Sequence, residues 1–169
     1  MDYNFSTQEA LDYCITDTSV ASIGSPYKGK VREVYDLNNN TLGIVVTDRI
    51  SAFDFIMRQA IPFKGQILNQ LAAFSFDTVK DIVATHIIDV PHPNITIAKK
   101  CIPVPIEVVV RGYLTGHAWR TYKSGLRTLC GVSLAEGMIE HEKFQTPILT
   151  PATKATEGHD EDISEDDIL

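Results

Sequence analysis

The chain has 169 residues, 44% hydrophobic, 22% charged and 8% aromatic, enough apolar matter for one large domain or two small ones. Its net charge of −7 is concentrated: seven of the 22 acids fall in the last thirteen residues, and the other 156 residues balance 15 acids against 15 bases. A neutral body with an acidic end argues against a nucleic-acid binder, apolar runs of a few residues argue against a membrane helix, and the N-terminus carries no signal-peptide pattern.

In chain order, STQEALDYC begins with a capping box, Ser6 to Glu9, and predicts a short helix. GKVREVYDL reads as a strand, Asn38-Asn39-Asn40 as a turn and TLGIVVTD as a buried strand, so the two strands form a hairpin. From Lys64 a helical pattern runs through Ile67, Leu71, Phe74 and Thr78. Short strands follow in THIIDV, NITIAKKC and PIEVVV. The valines of the last read as buried, with Arg111 where that strand leaves the core. GHAWRTYKS suits a short helix stopped by Gly125. Residues 131–162, rich in Gly, Pro, Thr and acids, read as an irregular stretch that lines a site. Near the end, Ser164 followed by Glu165, Asp166 and Asp167 reads as an N-cap with an acidic first turn. A helix announced so close to Leu169 suggests the N-terminal part of a longer protein. Three widely spaced cysteines without C-x-x-C favour neither a disulfide framework nor a zinc site, and fit a reducing cytoplasm. Separated strands with few crossover helices predict an α+β fold, with a β-rich unit over 1–103 and a second unit over 104–169.

Four groups of residues could carry chemistry. Gly24-x-x-x-x-Gly29-Lys30 is one residue short of a P-loop, and Val31 supplies no hydroxyl for a metal. What remains is a glycine turn feeding a strand with Lys30 and Arg32, either a phosphate cover or a solvated basic edge. Thr47, Asp48, Arg49, Ser51 and Asp54 cluster after GIVV, as a ligand cradle or as an Asx turn. Arg111 offers a planar fork to phosphate or carboxylate, beside Gly112, Gly116, Thr115 and His117 at a helix start. The alternative there is a structural arginine–carboxylate pair. Lys154 stands in a small-residue loop before His159, Asp160, Glu161 and Asp162, where carboxylates can hold Mg²⁺ or orient an amine, or merely be solvated.

Taken in order, GKVREVY, VTDRISAFD, IPFKGQILNQL, VPIEVVVRGYLTGHAW and TPATKATEGHDEDIS resemble the SAICAR synthetase family of purine biosynthesis, from about Tyr27 onward. The resemblance implies a kinase-small-lobe-like antiparallel sheet that binds nucleotide, followed by the start of an ATP-grasp-like α+β domain. It implies an ATP- and Mg²⁺-dependent ligase that joins L-aspartate to the carboxylate of the ribotide CAIR, by way of an acyl phosphate. By position, Gly29, Lys30 and Arg32 would meet ATP, and Ile102 and Glu107 would border adenosine. Asp48, Arg49, Ser51, Arg111, Gly116 and His117 would lie on the substrate side. Lys154 would reach the transferring phosphate, and His159 and Asp160 the junction of aspartate and ribotide. No metal ligand is identified, and the family's later D-x-K-x-E-F-G motif is absent. Where many members have Gly-Ser, this chain has Gly116-His117. The partners implied are small molecules, with no nucleic acid and no membrane; oligomeric state is left open. A non-catalytic nucleotide-binding domain and a small-molecule kinase lobe are the competing readings.

Overall fold

A computed structural model describes residues 6–18, 23–53, 55–155 and 159–168. Asp54 therefore lies outside the described residues. The chain is α+β with antiparallel sheets and few helices, and it divides into two compact units, Met1–Ile102 and Pro103–Leu169. No described helix is long and apolar enough to cross a membrane.

The first unit begins with α1 (Thr7–Asp12), started by Ser6 and Glu9 in the capping box its sequence predicts. The strands β1 (Tyr27–Lys28), β2 (Arg32–Asp36) and β3 (Thr41–Val46) follow. All three asparagines of the 38–40 turn take positive φ, a conformation Asn tolerates better than most residues. They set β2 against β3 in antiparallel register from Arg32–Val46 to Asp36–Leu42. A hairpin of β4 (Arg49–Ala52) and β5 (Phe55–Ala60) leads to α2 (Lys64–Val79). Then β6 (Ile87–His92) and β7 (Ile95–Lys99) complete a five-stranded sheet in the order β1-β2-β3-β7-β6.

Helix α2 has the predicted extent, yet Ile67, Leu71 and Phe74 are exposed. The face it buries carries Gly65 and Asn69 instead. A Cβ at Gly65 would stand 2.3 Å from the Val46 carbonyl and 2.7 Å from Asn94 Nδ2, so only glycine lets the first turn dock this closely. The inner side of β2 is also unexpected. Glu33 and Tyr35 are buried, while Arg32 and Asp36 are exposed.

In the second unit, β8 (Ile106–Tyr113) pairs antiparallel with β11 (Lys143–Thr153). Between them lie α3 (Gly116–Lys123) and a small hairpin of β9 (Thr128–Leu129) and β10 (Val132–Ser133). The core gathers Leu114, Ala118, Tyr122, Leu129, Leu134 and Phe144. Tyr122 ties the irregular turns to α3. Its hydroxyl donates to the Ala135 carbonyl and accepts the Met138 amide, both at 3.0 Å, and the Arg127 guanidinium lies 3.9 Å from its ring centre.

Three expectations change here. Residues 131–162 are not irregular throughout, for they contain the longest strand of the chain. Pro147 and Pro151 disguise it. Pro147 falls within the register shift between Lys143 and Ile148, and Pro151 faces the side away from β8, where its carbonyl accepts the Ile163 amide, so neither removes a donor from the β8 ladder. Second, the valines of β8 are not a buried run: Val108 is 54% and Val110 67% exposed. A two-stranded ribbon has one covered face, and these residues lie on the other. Third, Arg111 is not at the strand's exit, because β8 continues through Gly112 and Tyr113.

Candidate functional site

Along β8, Glu107, Val109 and Arg111 alternate with the open valines and so share the opposite face. The register carries that face onto β11, where Thr150 sits across from Val109 and Ile148 across from Arg111. Arg111 Nε donates to Thr150 Oγ1 at 2.9 Å, and the Thr150 hydroxyl passes its own proton to the Val109 carbonyl at 3.1 Å. The guanidinium is thus aimed by its inner nitrogen, with the Nη groups beyond that anchor.

Past the end of β11, the Lys154 amide donates to the Pro105 carbonyl at 2.9 Å and brings the side chain back over β8. Its ammonium meets Glu107 Oε2 at 2.9 Å and Asp160 Oδ2 at 3.4 Å. Asp160 is held in turn by the Ala155 amide at 2.8 Å. The Glu107 hydrogen bond first, and the charge of Asp160 second, raise the Lys154 pKa above the ordinary lysine value. The Ala155 amide, followed by the Lys154 charge, lowers that of Asp160. This is a cation between two carboxylates on an open surface.

The loop carrying Asp160 closes against the ribbon through an isolated bridge between Ala152 and Asp162. Asp162 Oδ2 lies 2.7 Å from His117 Nε2, at the first turn of α3. Gly116, with φ +55, makes the bend that starts this helix. Burial, and next the charge of Asp162, push the Cys130 thiol up, so it is not poised as a nucleophile. Glu107, Lys154 and Asp160 thus form one cluster, His117 and Asp162 a second, and Arg111 stands four residues along β8 from Glu107, held by Thr150. His159 is exposed beside Asp160 in sequence.

The first unit holds the other residues singled out. Gly29 closes a tight turn, its amide donating to the Arg32 carbonyl at 2.8 Å, and Lys30 is exposed at the turn's tip. Arg32 lines a cleft between α2 and the sheet, together with Leu68, Asn69, Phe76 and Thr96. Asn69 Oδ1 accepts from the Thr96 hydroxyl at 2.8 Å, while its buried Nδ2 has no hydrogen-bond partner among the described residues. Ser51, half-buried, pairs with Ile56 in the β4–β5 hairpin. Asp48 and Arg49 are engaged by the fold itself. Asp48 is 2% exposed and accepts the amides of Ile15 and Gly65. Arg49 reaches Glu33 and three backbone carbonyls. Ile102 ends this unit with 95% of its surface exposed.

Sequence reasoning passed over Glu33 and Asn69, and it named Asp162 only within the acidic run after Lys154, with no role of its own. Asp162 stands in a run of acids that offers no means to choose one. Its spacing of two from Asp160, next to a strand, was the available signal. Glu33 breaks the usual apolar-inside alternation and is visible only through its buried partner.

Among the described residues, no cluster of three or more His, Cys, Asp or Glu could hold a metal ion.

Residues 25–169 match the family model for SAICAR synthetase. A curated relative in Azobacteroides pseudotrichonymphae, a phosphoribosylaminoimidazole-succinocarboxamide synthase, is 54% identical over 143 residues, covering 85% of this chain and 44% of that one. Among solved structures, the SAICAR-synthase from Saccharomyces cerevisiae complexed with SAICAR aligns with a TM-score of 0.78 at 35% identity, over 91% of this chain and 57% of that one. A type-2 SAICAR synthetase in complex with ADP aligns with a TM-score of 0.67 at 26% identity, over 85% and 56%. The chain spans about half the length of the curated relatives it matches.

Proposed function

This chain belongs to the SAICAR synthetase family, and on that premise we propose that it serves an ATP-dependent ligation of L-aspartate to the carboxylate of CAIR. The observation that carries the reading is the β8–β11 ribbon, where Lys154 stands between Glu107 and Asp160 and Arg111 is set by Thr150 farther along β8. The reaction joins two anions and an amine and needs fixed cations with carboxylates between them.

In the first step a CAIR carboxylate oxygen attacks the γ-phosphorus of ATP and the bond to the ADP oxygen breaks. In the second, the aspartate amine attacks the acyl carbon, the carbon–oxygen bond to phosphate breaks, and the amine gives up a proton. Arg111 is the ribotide anchor, its guanidinium preset by Thr150. Lys154 neutralises charge on the transferring phosphoryl group. With its pKa raised it stays an ammonium, so its role is electrostatic and not that of a base. Asp160, with His159 beside it, attends the incoming amine, and His117 and Gly116 border the ribotide.

For the nucleotide, Gly29, Lys30 and Arg32 are the phosphate-side residues. Asn69 lines the same cleft as Arg32, and its buried Nδ2 has no acceptor among the described residues. Ile102 and Glu107 are assigned to the adenosine border, the latter in competition with its bond to Lys154. A five-stranded antiparallel sheet with one helix on its face supports the kinase-small-lobe likeness of the first unit. The ATP-grasp likeness of the second rests on the family resemblance alone. Similarity to the type-2 SAICAR synthetase in complex with ADP supports nucleotide use. Mg²⁺ accompanies ATP in this reading. The described residues do not build a cage for it, and no step is assigned to it. The proposed setting is the cytoplasm, with small-molecule partners.

The test is to supply the complete natural chain with ATP, Mg²⁺, CAIR and aspartate. ADP and SAICAR are expected in equal amounts, only when every substrate is present. In the Arg111→Ala variant, kcat/KM for CAIR is expected to fall a hundredfold, about 2.7 kcal/mol, as for loss of a charge-assisted contact. ADP formed without aspartate, beside a stable phosphorylated product, would instead indicate a kinase.

A further inference from the structure

Asp48 and Arg49 look in the sequence like ligand contacts, yet their polar groups are turned into the fold. Arg49 opens β4 with its side chain 13% exposed. Its Nε donates to the Lys30 carbonyl at 3.1 Å and its Nη2 to the Gly29 carbonyl at 3.0 Å. From Nη1 it reaches the Thr16 carbonyl at 2.5 Å and Glu33 Oε1 at 2.9 Å. The charge is balanced by Glu33, which is fully buried and accepts the Thr18 amide at 3.0 Å through its other oxygen. Three of the four acceptors are backbone carbonyls, two of them in the turn that carries Lys30.

The neighbouring Asp48 faces the other way. Helix α2 begins at a left-handed Phe63 with no side-chain cap of its own. Asp48 Oδ1 accepts the Gly65 amide at 2.7 Å and supplies that cap from a distance, while Oδ2 accepts the Ile15 amide at 2.8 Å. Two adjacent residues thus tie the Gly29–Lys30 turn, the 15–18 segment and the start of α2 to one point.

We propose that Arg49 is a positioning residue: by binding the carbonyls of Gly29 and Lys30 it fixes the turn that presents Lys30 to the ATP phosphates, and Asp48 registers that turn against α2. A carbonyl oxygen repels a phosphate, and Arg49 turns both of these inward. The planar fork is what the task demands, since a single ammonium cannot span four acceptors. The link to ATP rests on the assignment of Lys30 made above; the clamp itself rests only on the hydrogen bonds.

Arg49→Lys keeps the charge beside Glu33 and removes the fork. Two quantities are read on the complete chain: ATP affinity by nucleotide titration, and exchange of the Gly29 amide, which donates to Arg32. We expect at least tenfold weaker ATP binding, unchanged KM for CAIR and aspartate, and Gly29 exchange accelerated at least tenfold over the β2–β3 ladder. Unchanged Gly29 exchange would overturn the proposal, and a raised KM for CAIR or aspartate with ATP affinity intact would make Arg49 a ligand contact. Lys30→Ala separates the two layers. If it leaves ATP binding intact while Arg49→Lys still frees Gly29, the clamp stands and the ATP assignment of the turn falls. Should Arg49→Lys fail to fold, the unsubstituted chain decides: Gly29 is expected to exchange as slowly as the β2–β3 ladder, and exchange as fast as in the 38–40 turn would overturn the proposal.

Discussion

Lys154 shows how a side chain's partners limit its chemistry. Its pKa is raised, so its pairing is complete below the ordinary lysine range and is lost only as pH rises through the raised value. Asp160 is lowered, so its share is present above the ordinary carboxylate range and is lost as pH falls through the lowered value. Both hold throughout the interval between. The Ala155 amide, which reports on Asp160, is therefore expected to show a flat chemical shift from about pH 5 to about pH 9. A titration of that amide near neutrality would contradict the pairing. At this scale the sequence was readable for residue types and poor for partners. Arg111, Lys154 and Asp160 stand out by kind and spacing; Lys154 and Asp160 meet, while Arg111 is held by Thr150 farther along the ribbon. Arg49 stands out equally by kind, yet its partners are Glu33 and the carbonyls of residues 16, 29 and 30, which no local pattern connects to it.

Among the elements, α2 and β11 carry the lesson. The extent of α2 was legible from its 3.6-residue period, but the face it buries was not. That face is set by Gly65 and Asn69, which periodicity counts as neutral or polar. Gly65→Ala puts a methyl group into the Val46 carbonyl and the Asn94 amide, both fixed by the sheet. We expect a loss of about 3 kcal/mol of stability, at the upper end of overpacking costs, measured by denaturant unfolding. A loss below about 0.5 kcal/mol would mean that α2 does not dock through this glycine. Strand β11 was hidden by its prolines, and with it went the pairing that places Lys154 over Glu107. The hairpin of β2 and β3 was fully legible, because the three asparagines and the flanking alternation state the same turn.

For the whole molecule, what is shown is membership of the SAICAR synthetase family. The chain spans about half the length of its curated relatives, and the ligase activity is a proposal that rests on two sets of cations. One is presented by a clamped turn in the first unit, the other by the β8–β11 face in the second. The claim that unites them is carboxylate activation by ATP. The most direct measurement uses CAIR labelled with ¹⁸O in its carboxylate, together with ATP and aspartate. The account predicts one labelled oxygen in each phosphate released with SAICAR. Phosphate that carries no label would contradict it.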